Sequence, residues 1–136
     1  MDDGTASERT AGEVMAAYGE AWARGEPEAA FAFYADDVVM RLPGRSALAG
    51  VHRGKPAVIA CIDALLRRTD GHEATVEVLD RVVGERHVVM LVREVVRRGG
   101  DVLELRRANT YRVDGGRIVE IDIFEADQYE VDEFFG

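Results

Sequence analysis

The chain has 136 residues, of which 47% are hydrophobic and 32% charged, a composition typical of one globular domain. Its formal net charge of −9 excludes a protein that holds nucleic acid through clustered basic residues. The single cysteine cannot form an intramolecular disulfide, and residues 1–4 lack a signal-peptide pattern. No apolar run approaches the roughly 20 residues of a membrane helix. We predict a cytoplasmic protein with one domain over residues 1–136, a disordered tail at 1–6, and neither nucleic acid nor membrane as partner.

Three helices are predicted in the first half of the chain. Each has apolar residues three or four positions apart, and a proline stands near the start of the second and third. Ser7 is expected to cap the first helix, and Gly25 follows its end. The predicted helices span residues 7–23, 29–34 and 56–68.

The remaining segments predict mainly strands. A strand over 38–42 stops at Pro43, and residues 44–54 hold several glycines without a clear period, which predicts a loop. From residue 73 onward, β-rich runs alternate with short glycine-containing turns, the pattern of antiparallel hairpins. Helices followed by such a meander predict an α+β fold, with the helices on one face of a curved, mostly antiparallel sheet. The later strands are predicted at 73–83, 87–97, 102–113 and 117–124.

Polar residues interrupt the inner face of this predicted sheet. In strand 102–113, the period of two that buries Leu105 and Tyr111 also directs Arg107 and Asn109 inward. An unpartnered guanidinium or amide there costs several kcal/mol, and Glu94, inward on the preceding strand, can pair with Arg107. These residues form either a functional site or a structural network filling the interior, and a β-bulge could instead turn them outward.

Other chemistry-bearing residues indicate structural roles. Asp36 and Asp37 suit a turn between helix and strand. The three histidines lack metal-ligand spacing, so we predict no metal. Cys61 lies mid-helix and is expected to be a small buried residue with no base beside it. On the last strand, Val119, Ile121 and Ile123 are expected to form an apolar inner face.

Several phrases in chain order resemble a known superfamily: YGEAWARG (18–25), FYADDV (33–38), AGVHRGK (49–55), TYRVDGGRIVE (110–120) and DQYEVDEFF (127–135). Together they resemble the nuclear transport factor two-like proteins, and within them the SnoaL-like polyketide cyclases and ketosteroid isomerases. The resemblance implies a cone-shaped α+β barrel, in which three N-terminal helices pack on the curved sheet around a pocket.

The resemblance also implies where catalytic residues would lie. Tyr18 and Asn109 match the positions at which ketosteroid isomerases hydrogen-bond an enolate oxygen, whereas their general-base position falls on Leu42. The acid/base aspartate of the cyclases and of limonene-epoxide-hydrolase-like enzymes falls on Ile123. The Arg–Asp pair of the limonene-epoxide-hydrolase-like enzymes falls on Val92 and Glu94, so the acid is kept and the arginine is not.

These observations predict a protein that binds a small apolar metabolite without a cofactor. We expect acid/base chemistry of an isomerase, a polyketide-type cyclase or an epoxide-opening hydrolase, with a non-catalytic binding or dimerisation module as the alternative. The predicted catalytic set is Glu94, Arg107, Asn109 and Tyr18. The predicted substrate-binding residues are Trp22, Phe31, Met40, Leu42, Ile62, Met90, Val92, Leu105, Ile121 and Ile123.

The outer face of the predicted sheet is unusually apolar for a surface in contact with water. Val89, Leu91 and Val95 share it on one strand, with Val102 and Ala108 on the next. This composition, together with the resemblance, predicts a homodimer formed through the outer sheet face.

Overall fold

The computed structural model describes residues 9–136, in which six strands form one curved mixed sheet. The strands are β1 (Tyr34–Leu42), β2 (Gly50–Arg53), β3 (Thr75–Val83), β4 (Val88–Arg98), β5 (Asp101–Asp114) and β6 (Arg117–Asp122). Their spatial order is β2-β1-β6-β5-β4-β3, and only the β1–β6 pair is parallel. Because β2 and β3 lie at opposite edges, the sheet is open. The curved, mostly antiparallel sheet is confirmed, and the cone-shaped barrel that the resemblance implies is corrected to an open sheet.

Four α-helices accompany the sheet in the described part of the chain. They are α1 (Ala11–Ala23), α2 (Pro27–Phe31), α3 (Lys55–Arg67) and α4 (Gln128–Phe135). The first three confirm the three predicted helices to within a few residues, whereas α4 was not predicted. None of the helices over residues 9–136 is both long and apolar enough to cross a bilayer.

The start of α1 is fixed by a capping box. The Thr10 hydroxyl accepts a hydrogen bond from the Glu13 N–H at 3.2 Å, and the Glu13 carboxylate accepts one from the Thr10 N–H at 2.9 Å. This reciprocal pair satisfies backbone donors that the helix leaves free. The predicted cap, Ser7, lies outside the described residues, as does the predicted disordered tail.

Two segments near β1 differ from the sequence-based prediction. Tyr34 was predicted to end a helix but begins β1, and the register against β6 shifts between Tyr34 and Val39, which leaves Asp36 and Asp37 exposed. Residues 50–53, predicted as loop, pair with β1 as the edge strand β2. A short edge strand buries little on either face, so its sequence carries no alternating pattern.

A bulge in β6 changes which residue enters the core. Ile118 pairs with Val113 and Glu120 with Arg112, so Val119 has no residue opposite it on β5. Ile118 is therefore completely buried, while Val119, predicted to face inward, is only partly buried.

The buried apolar residues form two clusters. The larger lies between α1–α3 and the inner face of the sheet, and it includes Met15, Val58 and Met90. The smaller joins α4, through Val131 and Phe135, to the hairpin end of β4 and β5. The two-residue turn of that hairpin, Gly99–Gly100, has positive φ at both positions, which glycine adopts without strain. The site described next lies between the helices and this inner face.

Candidate functional site

A cavity of about 120 Å³ lies between the helices and the inner face of the sheet. Its volume is comparable to engineered apolar cavities of about 150 Å³ that hold one benzene molecule. Its wall includes side chains from α1, α3, β1, β3, β4, β5 and the segment from β6 to α4. All four predicted catalytic residues line it, namely Tyr18, Glu94, Arg107 and Asn109.

Most of the predicted apolar site residues line the same cavity, but three lie elsewhere. Phe31 packs edge-on against Trp22 and tilted against Tyr34, in the main core. Leu105 lies in the smaller cluster beneath α4, and Leu42, at the end of β1, borders a separate depression on the surface. Those that line the cavity are Trp22, Met40, Ile62, Met90, Val92, Ile121 and Ile123.

The polar part of the wall is organised around Arg107, whose side chain is 12% exposed. Its Nη1 donates to Glu94 Oε1 at 2.9 Å, as the alternation of β4 and β5 predicts, and its Nε donates to Glu125 Oε2 at 2.7 Å. The Glu125 side chain is 1% exposed. One guanidinium is thus held between two carboxylates, in a geometry that fixes its plane.

Glu125 was missed in the sequence analysis, although the sequence contains a signal for it. Residues 124–126 leave β6 but continue along β5, with Ala108 N–H donating to Phe124 O and Ala126 N–H to Arg106 O. The chain therefore keeps its alternation, and Ile121, Ile123 and Glu125 share the inner face. If the alternation is extended past residue 124, the end of the predicted strand, Glu125 falls on the inner face, opposite Arg107.

Burial and charge act in opposite directions in this cluster. Burial raises the pKa of Glu125 above its ordinary value, and the neighbouring Arg107 only partly offsets that rise. For Arg107, burial acts to lower the pKa, but the carboxylates of Glu94 and Glu125 outweigh it and the pKa is raised. Arg107 is therefore permanently charged and serves both carboxylates.

Asn109 and three tyrosines complete the polar wall. The Tyr18 and Tyr34 hydroxyls lie 2.8 Å apart, and Asn109 Nδ2 donates to the Tyr111 hydroxyl over 3.5 Å. Burial raises the pKa of each of these tyrosines, so their hydroxyls stay protonated. Neutral hydroxyl and amide groups of this kind can donate hydrogen bonds to a ligand oxygen.

Cys61 and His52 form a second polar contact, outside the cavity wall. The Cys61 thiol is buried as predicted, and its Sγ lies 3.4 Å from Nε2 of His52. That nitrogen donates to Leu48 O at 2.7 Å, so it carries a hydrogen and cannot accept the thiol proton. Burial raises the pKa of the Cys61 thiol to about 11, against a smaller lowering by Arg68. Because the nucleophilic form is the thiolate, this protonated thiol is a packing residue rather than a nucleophile.

Comparison with known proteins identifies the family. A family model for the SnoaL-like domain matches residues 15–121, most of the chain. The chain belongs to the SnoaL-like family. This SnoaL-like protein is also 35% identical over 117 residues to the uncharacterized protein Rv0034 of Mycobacterium tuberculosis, a match covering 85% of this chain and 88% of the relative.

Solved structures show the same fold. Bal32a, from a soil-derived mobile gene cassette, superposes with a TM-score of 0.83 at 23% identity, over 91% of this chain and 95% of that chain. An NTF2-like protein of Burkholderia thailandensis gives a TM-score of 0.81 at 24% identity, over 94% and 98%. These likenesses show the fold, and the family model confirms the SnoaL-like assignment predicted from the sequence. The family is in general one of ligand-binding and enzyme-type proteins.

Proposed function

We propose that this SnoaL-like protein binds a small, mostly apolar carbonyl compound and moves a proton on it without a cofactor. The observation that carries the proposal is that a carboxylate, Glu94, and two neutral donors, Tyr18 and Asn109, line one apolar cavity. Abstraction of a proton next to a carbonyl needs a base at the carbon and hydrogen-bond donors at the oxygen that gains charge. The cavity wall contains both kinds of group.

Glu94 is the proposed base. Its Oε1 is held by Arg107, while Oε2 has no donor among residues 9–136 and is not enclosed. The arrangement leaves one carboxylate oxygen available for a proton. The ion pair with Arg107 fixes the orientation of the carboxylate.

Tyr18 and Asn109 are the proposed donors to the developing oxyanion. When Tyr34 donates its proton to the Tyr18 oxygen, the proton of Tyr18 is available for a ligand. Asn109 has two amide hydrogens, of which the long contact to Tyr111 uses one. Enolate formation of this kind is the step shared by isomerases and polyketide-type cyclases. The aspartate that both the cyclases and the epoxide-opening enzymes would have at Ile123 is absent, and so is the arginine that the epoxide-opening enzymes would have at Val92. With Glu94, Tyr18 and Asn109 in one cavity wall, carbonyl chemistry is the better supported reaction.

The proposal is tested by exchange of the α-protons of 4-methylcyclohexanone in D₂O, followed by ¹H NMR. The wild-type protein is expected to accelerate exchange over buffer, and Glu94→Gln to lower that rate at least about 100-fold, as for loss of a general base. Glu104→Gln makes the same charge change on the outer face, where Glu104 pairs with the exposed Arg93, and should keep full activity. Equal rates for wild type and Glu94→Gln contradict the role of Glu94. Binding without acceleration over buffer supports the non-catalytic module.

The proposal includes a homodimer formed through the outer face of the sheet. Leu79, Leu91 and Phe124 are 44%, 39% and 55% exposed and border one shallow depression together with Ala108. Large apolar side chains clustered on a sheet face favour association, since burial removes their surface from water.

Light scattering at micromolar concentration is expected to give twice the monomer mass, and Leu91→Glu is expected to give the monomer. Val51→Glu is the matched control, because Val51 is 52% exposed on the edge strand β2 and does not border the depression. A monomeric wild type, or equal loss of dimer in both variants, contradicts this interface.

A further inference from the structure

The charge of the polar cluster is unusual for a cavity that contains arginine. A single buried guanidinium normally indicates a site for an anion, because it offers charge and a planar set of donors. Here Arg107 faces two carboxylates, those of Glu94 and Glu125, which neutralise its charge before any ligand enters. The cluster thus holds two carboxylates for one guanidinium.

The hydrogen-bonding geometry of Arg107 also opposes an anionic ligand. A carboxylate binds arginine most strongly when it accepts from two adjacent nitrogens. Nε already donates to Glu125 and Nη1 to Glu94. Two of its five N–H groups are thus engaged, and a ligand carboxylate that reached the remaining ones would lie beside the carboxylate of Glu94.

The unpartnered atoms of the wall are mainly oxygens that accept hydrogen bonds. Oε2 of Glu94 has no donor in the described part of the chain, and Oδ1 of Asn109 is buried without a partner in a residue only 6% exposed. A buried acceptor left unpaired is destabilising, because it has lost its hydrogen bonds to water without gaining others. A ligand that brings an N–H or O–H group can recover part of that cost, whereas a carboxylate brings further acceptors.

We infer that the cavity selects neutral molecules about the size of one ring, favours those that also donate a hydrogen bond, and discriminates against carboxylates of the same shape. The inference rests on the proposed function in one respect, that the cavity is the ligand site. It assigns the specificity to the excess of carboxylates around Arg107. The proton-accepting oxygen of Glu94 is thus also the group that excludes anions.

The test compares 4-methylbenzamide with 4-methylbenzoate, two probes of the same shape that differ in charge and in donor groups. Trp22 lines the cavity and is the only tryptophan in the chain, so its fluorescence reports occupancy directly. At neutral pH the amide is expected to bind at least about 10-fold more tightly than the carboxylate, given the strength of like-charge repulsion at close range in a partly buried site.

Two variants test whether the carboxylates around Arg107 cause the preference for the amide over the carboxylate. Glu94→Gln is expected to narrow the amide-to-carboxylate ratio several-fold by removing the repelling charge. Glu104→Gln changes the net charge equally on the outer face and should leave the ratio unchanged. Equal or tighter binding of the carboxylate to the wild type, the same narrowing in both variants, or binding of neither probe overturns the inference. If the binding ratio is as expected but the protein does not accelerate proton exchange, only the proposed function is contradicted. If the protein accelerates exchange but binds the two probes equally, only the selectivity inference is contradicted.

Discussion

Replacement of Arg107 by methionine is expected to lower the free energy of unfolding by about 3–5 kcal/mol, the usual cost of breaking a buried ion pair from one side. Methionine fills much of the same space but leaves Glu94 and Glu125 without their cation. The Glu125 side chain is 1% exposed, so water cannot replace the lost hydrogen bond. The measurement is urea denaturation at neutral pH.

The matched control is Arg93→Met. Arg93 also contacts two carboxylates, Glu77 and Glu104, but lies on the outer face in contact with water. Exposed ion pairs contribute little, so this variant should be close to wild type. Equal destabilisation by the two substitutions would contradict the account given for Arg107.

The deficit of Arg107→Met should depend on pH. The pKa of Glu125 is already raised by burial, and removal of Arg107 takes away the charge that opposes the rise. A carboxyl with a raised folded-state pKa destabilises the fold increasingly as the pH rises above its unfolded-state pKa, and fully above the folded-state pKa. It costs nothing when it is protonated in both states. The loss in free energy of unfolding caused by Arg107→Met should therefore become smaller as the pH falls through the acidic range. At neutral pH, the double variant Arg107→Met/Glu125→Gln should recover part of that loss.

Substitution of Ile118 by alanine is expected to cost about 2–5 kcal/mol, because it removes a fully buried side chain and leaves a cavity. Its neighbour Val119 provides the matched comparison. Strict alternation from Ile121 and Ile123 predicts that Val119 faces the core, whereas the bulge places Ile118 there. Thermal or urea unfolding should show a much smaller loss for Val119→Ala, and the reverse order would show that the bulge is absent.

The inner face of β4 and β5 could be predicted from the sequence because long central strands impose a strict period of two. That period alone predicted that Glu94, Arg107 and Asn109 share the inner face. In the structure all three line one cavity. Two hairpin turns were equally clear, since the glycine pairs Gly99–Gly100 and Gly115–Gly116 meet the positive φ values that such turns require.

The elements that escaped prediction lack such a pattern. β2 is a short edge strand that is largely exposed, and its pairing with β1 depends on contacts distant in the sequence. The bulge in β6 adds one residue, so the inward and outward positions are exchanged on its two sides and a strict period of two assigns Val119 to the wrong face. Glu125 follows the end of β6, where strand-based analysis stops, and α4 is short, with only Val131 and Phe135 fully buried. Each of these features is determined by packing rather than by local propensity.

The parallel pairing of β1 with β6 has a consequence for how the chain reaches this structure. Arg41 and Asp122, which are register partners and form an ion pair, are separated by 81 residues. Pairing over such a separation closes a large loop and slows folding relative to local hairpins. During synthesis, the edge of β1 that pairs with β6 stays unpaired until β6 has left the ribosome. Helices α1–α3 and the β3–β5 meander can form first, and the part of the site wall that comes from β6 and α4, including Ile121 and Phe135, is completed last.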